Sequence, residues 1–561
     1  MKKNVKKWVV GLFCIVIITI CFEKLIMNKI ENNGYYSFNS NIYNVDEDKL
    51  PFSEEEIYKQ IFDIHNIVSI SIDMTNAELK KLQSDFEKNK KSPIYRMANI
   101  TISITIPNGK TYAYYLEEVG IRLKGNESRT SLYNENNGII NLDHFKINFS
   151  ETFDDISDGY SKDEYYIDSD GNSTWDKIAR KKRKKRTFGN MEKIAVKWNK
   201  NFDTTYLREY YAFELFRSEG IAAPRIGLTT MKINVPDKKE NSAYLGVYSI
   251  QEFIDSKFIK NNLLNKDNNY MLNKNGDYTD GDLYKVKWDN EYGDWVGANL
   301  TTKCSYGIAD NLHRISYNYE LKTNKKKSDF SALSNLINGL NDVSSKNDLG
   351  KYVDMNYFIK FAAVSYVTGN GDDMRNNYNN YYLYFYTDNS DIANPIQKMI
   401  VIPYDYDRSF GITIDMNSDG TAMTNVDPFS TKATNNEEQE NPLYKYSVCE
   451  GGYYIHEYSS ALREVLNNKL LSIKTFKKYY NIAKNNYGNK VTPSKDFNNI
   501  VSSKTYEKVT RESFYFTIDT SNDIKKMNTK STDEITKNLI IEDYFTKIRS
   551  TLKKALDAKS H

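Results

Sequence analysis

The sequence predicts an α+β protein in which a sheet-rich first part precedes a helix-rich second part. Segments before residue 270 alternate apolar and polar residues, the pattern of half-buried strands, whereas later segments have helical spacing. The chain has 561 residues, of which 40% are hydrophobic and 27% charged, so it is long enough for several domains and typical of globular proteins. We therefore expect two lobes, residues 61–270 and residues 271–561.

The first lobe should contain antiparallel strands and one early helix. Residues 67–74 and 99–106 have strand periodicity, and the helical segment between them starts at a capping residue, Thr75 or Asn76. Asn108 and Gly109 mark a hairpin turn. The remaining predicted elements are strands at 143–149, 231–235 and 244–251, and a helix at 201–220 capped by Asp203 or Thr204 and ended by Gly220.

Residues 153–189 interrupt this alternation. The segment begins with many acidic residues and ends with the basic run Arg180–Arg186. Because no apolar period runs through it, we predict an inserted surface loop in which the neighbouring acids neutralise the basic run. The alternative is a binding site for an acidic partner.

The second lobe should be mostly helical. Its apolar residues recur with helical spacing, and no catalytic motif follows residue 411. Helices are predicted at 329–342, at 354–368, at 457–483 with an interruption, and at 533–558.

The N-terminus has the pattern of a membrane anchor. Four lysines among the first seven residues precede the uncharged run 8–22, and no small-residue cleavage site follows. We predict an uncleaved signal anchor over residues 1–27 and a spacer over residues 28–60, with a buried helix of a soluble protein as the alternative. By the positive-inside rule the remainder of the chain lies outside the cytoplasm.

Charge and residue counts exclude several classes of function. Lys plus Arg number 77 against 74 Asp plus Glu, and a net charge of +3 gives no general attraction to nucleic acid. With 4 Cys and 5 His, none at metal-ligand or triad spacing, zinc sites and Ser-His chemistry are disfavoured. Any charged ligand must therefore bind locally.

Three segments combine charged side chains with a turn. In GIRLKGNESR, residues 120–129, a strand turns at Gly125 among Arg122, Lys124 and Arg129, as in a phosphate-binding loop, although many surface hairpins share this composition. In TGNGDDMRNNYNN, residues 368–380, two acids follow a helix end and an Asn precedes a strand. A catalytic base and a metal ligand for phosphoryl transfer have this layout, and an Asx-rich turn is the alternative.

The third segment, IPYDYDRSFG, delivers two carboxylates from an apolar strand. Asp405 and Asp407 are two residues apart, so both point to one side of an extended chain. Hard oxygen ligands of this kind suit Mg²⁺ or Mn²⁺. The alternative is a pair of aspartates that cap turns.

A calcium site is a further hypothesis. Asp415, Asn417, Asp419 and Gly420 follow the spacing of an EF-hand loop, but Val426 stands where a bidentate Glu is needed. We therefore expect at most weak Ca²⁺ binding, and an Asx-Gly turn is the alternative.

Together these segments resemble the CotH kinase family, the atypical protein kinases named after spore-coat protein H. The resemblance extends from about residue 68 to residue 411 through VGIRLKGNES, DHFKINF, DTTYLREYYAFELFRSEGIAAPR, YLGVYSIQEFID, GDD…NNYYLY and PYDYDRSFG. It implies a two-lobed, kinase-like fold with a sheet-rich N-lobe and a helix-rich C-lobe. It also implies ATP binding with Mg²⁺ and phosphorylation of serine residues in coat proteins.

The resemblance also implies roles for individual residues. Lys146 corresponds to the lysine that pairs with the nucleotide phosphates, and Asp372 to the catalytic aspartate, with Asp373 as the rival assignment. The turn with Arg122, Lys124 and Gly125 corresponds to the phosphate-covering loop, although it lacks the pattern GxGxxG. The implied metal ligands are Asn380 and either Asp405 or Asp407.

Kinases hold the phosphate lysine with a helix glutamate, for which Glu214 is the candidate. Glu214 lies on the same helical stripe as Leu207 and Tyr211, whereas Glu209 lies off it. A surface ion pair between Glu214 and Arg217 is the alternative.

We therefore expect an anchored or secreted, Mg²⁺- or Mn²⁺-dependent kinase that phosphorylates Ser or Thr of a coat or surface protein. Two alternatives are a non-catalytic scaffold or adhesin, and an AMP transferase on the same fold. No nucleic-acid partner is expected, and the spore coat is one location that the resemblance suggests.

Overall fold

The computed structural model is a mixed α+β protein with two main sheets and two main hydrophobic cores. It describes residues 35–38, 52–125, 129–134, 139–237, 242–265, 267–287, 297–301, 318–412, 423–432, 438–494, 513–519, 523–525 and 535–559. The predicted anchor and the predicted calcium ligands Asp415, Asn417 and Asp419 lie outside these ranges. Among the described helices, none combines the length and the apolarity that crossing a membrane requires.

Seven strands of the first part close into a barrel. The strands of this part are β1 Tyr35–Phe38, β2 Ile67–Asp73, β3 Arg96–Thr105, β4 Thr111–Lys124, β5 Tyr133–Asn134, β6 Ile139–Ile140, β7 His144–Asn148, β8 Lys193–Trp198, β9 Ile226–Asn234 and β10 Ala243–Glu252. The ring follows the order β4-β3-β2-β9-β10-β8-β7 and closes because β7 also pairs with β4. Strand β1 pairs in parallel with β4, and β5 pairs with β6.

Alternation along the strands fills the barrel with apolar side chains. In β3, for example, Ile100, Ile102 and Ile104 are fully buried, while the residues between them are partly exposed. Successive side chains of a strand point to opposite faces. The barrel core therefore leaves the outward side chains of β4, β7, β8 and β10 free to contact the rest of the protein.

The helices of the first part are α1 Glu54–Phe62, α2 Asn76–Lys88, α3 Lys177–Arg183, α4 Arg208–Ser218 and α5 Ser256–Phe258, which continues as a π-helical turn, Ile259–Leu263. Of these helices, α1 and α2 pack on the barrel core, whereas α4 and α5 pack into the second core. Thr75 caps α2 as predicted. Ser53 and Glu56 form a capping box on α1, so an ordered helix begins inside the segment predicted as a spacer. Helix α4 starts later than predicted, although Asp203 accepts a hydrogen bond from the Arg208 backbone N–H.

The prediction of a solvated loop at residues 153–189 is correct only in part. The lysines of the basic run, Lys181, Lys182, Lys184 and Lys185, are exposed, and Arg180 pairs with the acidic Asp154 as expected, but other residues of the segment are buried. Phe153 and Tyr160 lie in a small buried core, and Asp176 caps helix α3. Arg183 is fully buried, where its guanidinium donates to the carbonyls of Glu151 and Glu118. The arginines of the basic run are thus used inside the molecule, because arginine satisfies buried backbone carbonyls that water cannot reach.

The second part combines a five-stranded sheet with helices. Its strands are β11 Gly276–Asp277, β12 Leu283–Val286, β13 Tyr319–Leu321, β14 Tyr381–Asp388 and β15 Ile396–Pro403, and a short pair follows, β16 Asp523–Lys525 with β17 Ile535–Lys537. Its helices are α6 Ser331–Leu340, α7 Lys346–Tyr352, α8 Met355–Thr368, α9 Pro442–Ser447, α10 Ile455–Asn467, α11 Ile473–Tyr487 and α12 Ile541–Ala558. The second core includes α8, α10, α11 and α12 together with β14 and β15.

Three predicted helices of this part are confirmed with shifted ends. Asp354 caps α8, and the predicted interruption separates α10 from α11. The prediction of one helix over 533–558 is wrong at its start, because Ile535–Lys537 is a strand paired with β16 and α12 begins at Ile541. Such a boundary depends on a pairing partner that is distant in sequence.

Candidate active site

The outward face of β4, β7, β8 and β10 carries a patch of polar and basic side chains. Opposite residues of paired strands share a face, so the register defines two rows across the patch. The first row is Arg122, Lys146, Ala195 and Gln251. The second is Lys124, His144, Lys197 and Ser249, and it lies two residues along the strands from the first.

Lys197, on β8, is the centre of a buried charge cluster. Its ammonium lies 3.0 Å from a carboxylate oxygen of Glu209 in α4 and 3.0 Å from one of Asp407, and it also contacts Asp405. Only 5% of the Lys197 side chain is exposed. One ammonium therefore holds together a barrel strand, a helix and the loop that follows β15.

Burial and neighbouring charges move the pKa values of this cluster in opposite directions. Burial by itself lowers the pKa of Lys197, but the carboxylates of Asp405, Asp407 and Glu209 outweigh it and hold that pKa well above its usual value. Burial raises the pKa of Glu209 to about 7, despite the opposing effect of Lys197. Lys197 and Lys124 overcome burial at Asp405 and lower its pKa, so this carboxylate stays ionised.

The expected pairing of Glu214 with Lys146 is wrong. Glu214 contacts Arg217 one turn later on the same helix, and the helix glutamate that reaches a barrel lysine is Glu209. The prediction failed because helix α4 begins at Arg208, which places Glu209 in the first turn, beside β8. The stripe through Leu207 and Tyr211 instead packs into the apolar core.

Lys146 lies among other cations. Its ammonium is 4.0 Å from the ring centre of Phe253 and 5.9 Å from that of Tyr95, and no carboxylate pairs with it within the described ranges. Burial, together with the charges of Arg122, Lys193, Lys322 and Lys285, lowers the pKa of Lys146 well below its usual value. A bound anion would relieve this repulsion, so the cluster has the electrostatics of an anion site.

Asp372 and Asp373 adjoin in sequence but have different surroundings. Asp373 is buried, where it accepts hydrogen bonds from the Ser365 hydroxyl and from the backbone N–H groups of Arg375 and Asn376. Burial raises its pKa to about 6. Asp373 therefore organises the loop from within.

The carboxylate of Asp372, on the same loop, contacts side chains rather than backbone groups. It accepts hydrogen bonds from the side chains of Asn377 and Asn379, and the guanidinium of Arg408 lies 3.7 Å away. Fifteen per cent of the Asp372 side chain is exposed. Of the two aspartates, Asp372 is the one that can reach a bound molecule.

The hairpin of β14 and β15 brings the two acidic segments together. The backbone N–H of Tyr404 donates to the carbonyl of Asn380, so Asn380 stands beside the segment with Asp405. The Asn380 side-chain N–H donates to the Asp372 carbonyl, which leaves its Oδ1 facing no described donor. Asn380 and Asp405 both have positive φ, 55° and 57°, a strained backbone that often marks functional loops.

The predicted phosphate-covering turn is described only at its edges. Arg122 and Lys124 are half-buried at the end of β4, and Gly125 has φ +124°, which favours glycine. Residues 126–128 of the turn lie outside the described ranges. Lys124 and Lys285 lie over the ring of Tyr404 from the two sheets, at 5.6 Å and 4.9 Å, so both cations face the loop that carries Asp405.

The oxygen donors fit a hard divalent cation that shares its coordination with a ligand. Asp405 and Asp407 converge on one ammonium, and the backbone carbonyl of Asn380 accepts from Tyr404, the residue before Asp405. No group of three His, Cys, Asp or Glu side chains in the described residues could hold a metal alone. Mg²⁺ is commonly bound by one or two carboxylates plus substrate phosphates, which this donor set allows.

Comparison with protein families matches residues 155–512 to the family described as CotH kinase protein. The chain belongs to the CotH kinase family. The match covers more than half of the chain and includes β8, α4, the loop with Asp372 and the hairpin with Asp405. A comparison with curated proteins found no match.

Sequence reasoning missed Lys197, Glu209, Asn377 and Arg408 within this CotH kinase domain. A usable signal was present, because IAVK at residues 194–197 resembles the VAIK strand of protein kinases, and a helix with an early Glu follows. Asn377 follows Asp372 by five residues, the spacing of the Asp and Asn in the kinase catalytic loop. Both patterns are short, so neither identifies the site residues without the contacts that the structure shows.

Proposed function

We propose that this CotH family member is a protein kinase that transfers the γ-phosphoryl group of ATP to Ser or Thr of a partner protein. The observation that carries the proposal is the Lys197 cluster, in which a strand lysine contacts a helix glutamate and the aspartates after the β14–β15 hairpin. In protein kinases a β3 lysine pairs with a helix glutamate, and the DFG aspartate binds Mg²⁺. The parts also follow one another along the chain in the kinase order.

Cations of the patch would bind the triphosphate. Lys146, Arg122, Lys124 and Lys285 belong to this group, and burial together with the charges of Arg122 and Lys285 contributes to the low pKa of Lys146. An ATP triphosphate supplies the negative charge that this group lacks. Lys197 is already balanced by three carboxylates, so its proposed role is to position phosphates and aspartates rather than to attract the nucleotide from solution.

Asp405, Asp407 and Asn380 would hold Mg²⁺ or Mn²⁺ against the phosphates. The metal would neutralise charge on the β- and γ-phosphates. Asp405 is suited to this role because its lowered pKa keeps it ionised. Asp407 shares the Lys197 ammonium with Asp405, so both carboxylates already point to one place.

Asp372 would orient the attacking hydroxyl and accept its proton. The substrate oxygen forms a bond to the γ-phosphorus while the bond from phosphorus to the β,γ-bridging oxygen breaks, and ADP leaves. The amides of Asn377 and Asn379 fix one carboxylate oxygen of Asp372, and Arg408 stands near the other. Asp373 cannot take this role without leaving the core, so we assign it to the loop's structure.

The partner and the location are proposals of the same kind. The family description supports a protein substrate, for which we propose a coat or surface protein. The lysine-rich, apolar N-terminus supports anchoring of the catalytic part outside the cytoplasm, or its secretion. Sequencing the N-terminus of the chain from its own host tests anchoring, because a mature chain that begins after Met27 would contradict it.

Intact mass spectrometry of a serine-rich protein incubated with the enzyme, ATP and Mg²⁺ tests the activity. Phosphoryl transfer adds about 80 Da, and adenylyl transfer on the same fold would add about 329 Da. The control is the Asp372→Asn chain under the same conditions. No mass change with any protein, despite ATP binding, would support a non-catalytic scaffold and contradict the kinase proposal.

A further inference from the structure

Gln251 is a buried amide without a hydrogen-bond partner, on the face that would bind the nucleotide. One per cent of the residue is exposed, and neither Oε1 nor Nε2 has a partner among the described residues. Leaving a buried polar group without a hydrogen-bond partner is unfavourable, because its contacts with water are lost and not replaced. An amide with both groups unsatisfied therefore calls for a ligand that supplies one donor and one acceptor.

The register fixes which face of the sheet Gln251 is on. Gln251 pairs with Ala195 of β8, which pairs with Lys146 of β7, so the three side chains lie in one row. Their neighbours Ile250, Val196 and Ile147 fill the barrel. The amide is consequently on the outward face, in the same patch as Lys146 and Lys197.

The distances along this patch suit a nucleotide. Neighbouring strands are about 4.8 Å apart, so Gln251 is about 10 Å from Lys146 across the sheet. Lys197, which contacts Asp405, is two residues along β8 from Ala195, about 7 Å. A base at Gln251 would therefore leave its phosphates within reach of the cations and the proposed metal ligands.

Ala195 offers a small, flat platform beside the amide. Ala195 is buried and has only a methyl group, whereas the residues before and after it on this face are Lys193 and Lys197. Lys146 reaches the ring of Phe253, which is two residues beyond Gln251, so its stem must pass over β8 near Ala195. The flexible stem of Lys146 can leave this position when a base occupies it.

We propose that the Gln251 side chain binds the nucleotide base through one donated and one accepted hydrogen bond, with Ala195 as the platform under the ring. Adenine presents this pair at its N6–H group and an adjacent ring nitrogen, as in glutamine recognition of adenine in DNA. This inference rests on the proposed kinase function and adds the residue that recognises the base.

Calorimetry with two ligands tests the inference on the full chain in Mg²⁺ buffer. Gln251→Leu keeps the volume but removes both hydrogen-bonding groups. We expect its affinity for ATP to fall about 5- to 100-fold, the scale of one bidentate contact, and its affinity for inorganic tripolyphosphate to stay within about twofold. The control is Gln397→Leu, at an exposed glutamine of β15 remote from the patch, which should change neither affinity.

The outcomes separate the two proposals. If the unmodified chain binds neither ATP nor tripolyphosphate, the kinase proposal fails. If it binds ATP and Gln251→Leu binds ATP equally well, the base site is contradicted while the kinase proposal stands. Thermal unfolding adds a further readout, since removing an unsatisfied amide should leave the melting temperature unchanged or raise it, and a lower melting temperature would indicate a purely structural Gln251.

Discussion

At the scale of single residues, two adjacent carboxylates of the candidate site have different surroundings and different roles. Asp372 has amide partners and partial exposure, whereas Asp373 is enclosed and binds backbone N–H groups. Sequence alone left these two residues as rivals, because adjacent side chains of a turn can point either way. Substitution of Asp372 should therefore mainly lower activity, whereas substitution of Asp373 should mainly change stability.

Asp372→Asn should lower turnover by about 10²-fold or more, on the scale of a lost general base, because the amide cannot accept the proton. The fold and the affinity for Mg²⁺ and ATP should change little, since shape is preserved. Single-turnover phosphate transfer and calorimetry on the same preparation measure both quantities. Asp373→Asn is the matched control, and loss of activity there with full activity in Asp372→Asn would reverse the assignment.

The free energy of unfolding should depend on pH through the ionisation of Asp373. Its pKa, about 6, is above the usual value of 3.8, so the unfolded chain loses this proton first as pH rises. The contribution of the protonated carboxyl to stability is complete below about pH 4 and is lost as pH rises through 6, by up to about 3 kcal/mol. Asp373→Asn cannot ionise and should lack this loss.

Denaturant unfolding of both chains at pH 4, 5, 6 and 7 checks the prediction. As the pH rises, the unfolding free energy of the unmodified chain should fall through the ionisation of Asp373, and that of Asp373→Asn should lack this fall. The unfolding free energy of the variant minus that of the unmodified chain should therefore increase with pH. Parallel curves would show that Asp373 does not titrate in this range.

At the scale of elements, the segment 153–189 shows how a basic run can be structural. Helix α3 presents Arg183 to the barrel, and Arg186 donates to the carbonyls of Phe149, Glu117 and Glu118. Arg180 pairs with the buried carboxylate of Asp154. Three arginines of one run thus tie the segment to the bulge of β4 and to the residues that follow β7, the two strands that carry Arg122 and Lys146.

Arg183→Met should lower the free energy of unfolding by about 2–4 kcal/mol, because the Glu151 carbonyl loses its Arg183 donor and the Glu118 carbonyl keeps only Arg186. Lys181→Met, two residues earlier and exposed, is the control and should stay within about 0.5 kcal/mol. Chemical denaturation measures both. Equal effects at the two positions would mean that the run is solvated after all.

At the scale of the whole molecule, the site exists only where the barrel and the second part meet. Lys197 comes from the barrel, Glu209 from the helix after it, and Asp405 and Asp407 from the hairpin of the second sheet. Lys124 and Lys285, from different sheets, share the ring of Tyr404. A cation or nucleotide bound here would strengthen contacts between distant segments of the chain.

ATP binding should require a divalent cation, because Asp405 and Asp407 would otherwise repel the triphosphate. Calorimetry in Mg²⁺ should give measurable affinity, and the same titration in EDTA should give a much weaker signal. Asp405→Asn and Asp407→Asn should lose the Mg²⁺ dependence. Equal ATP affinity with and without Mg²⁺ would remove the metal assignment and leave the cationic patch as the main binding element.

The sequence by itself determined the longer strands and helices, the cap of α2 and the family resemblance. Helix α8 with its Asp354 cap and the strands β2 and β3 were predictable because periodicity and capping depend on residues a few positions apart. Asp405 and Asp407 were recognisable for the same local reason.

Only the tertiary structure decided the closed barrel, the burial of Arg183, the choice of Glu209 over Glu214 and the isolation of the Gln251 amide. Each depends on which distant segments pair or pack, as when Lys197 meets Asp405 across more than 200 residues. Such contacts leave no period in the sequence. The free energies of these contacts depend on strand register and on the exclusion of water, and both are set only in the assembled fold.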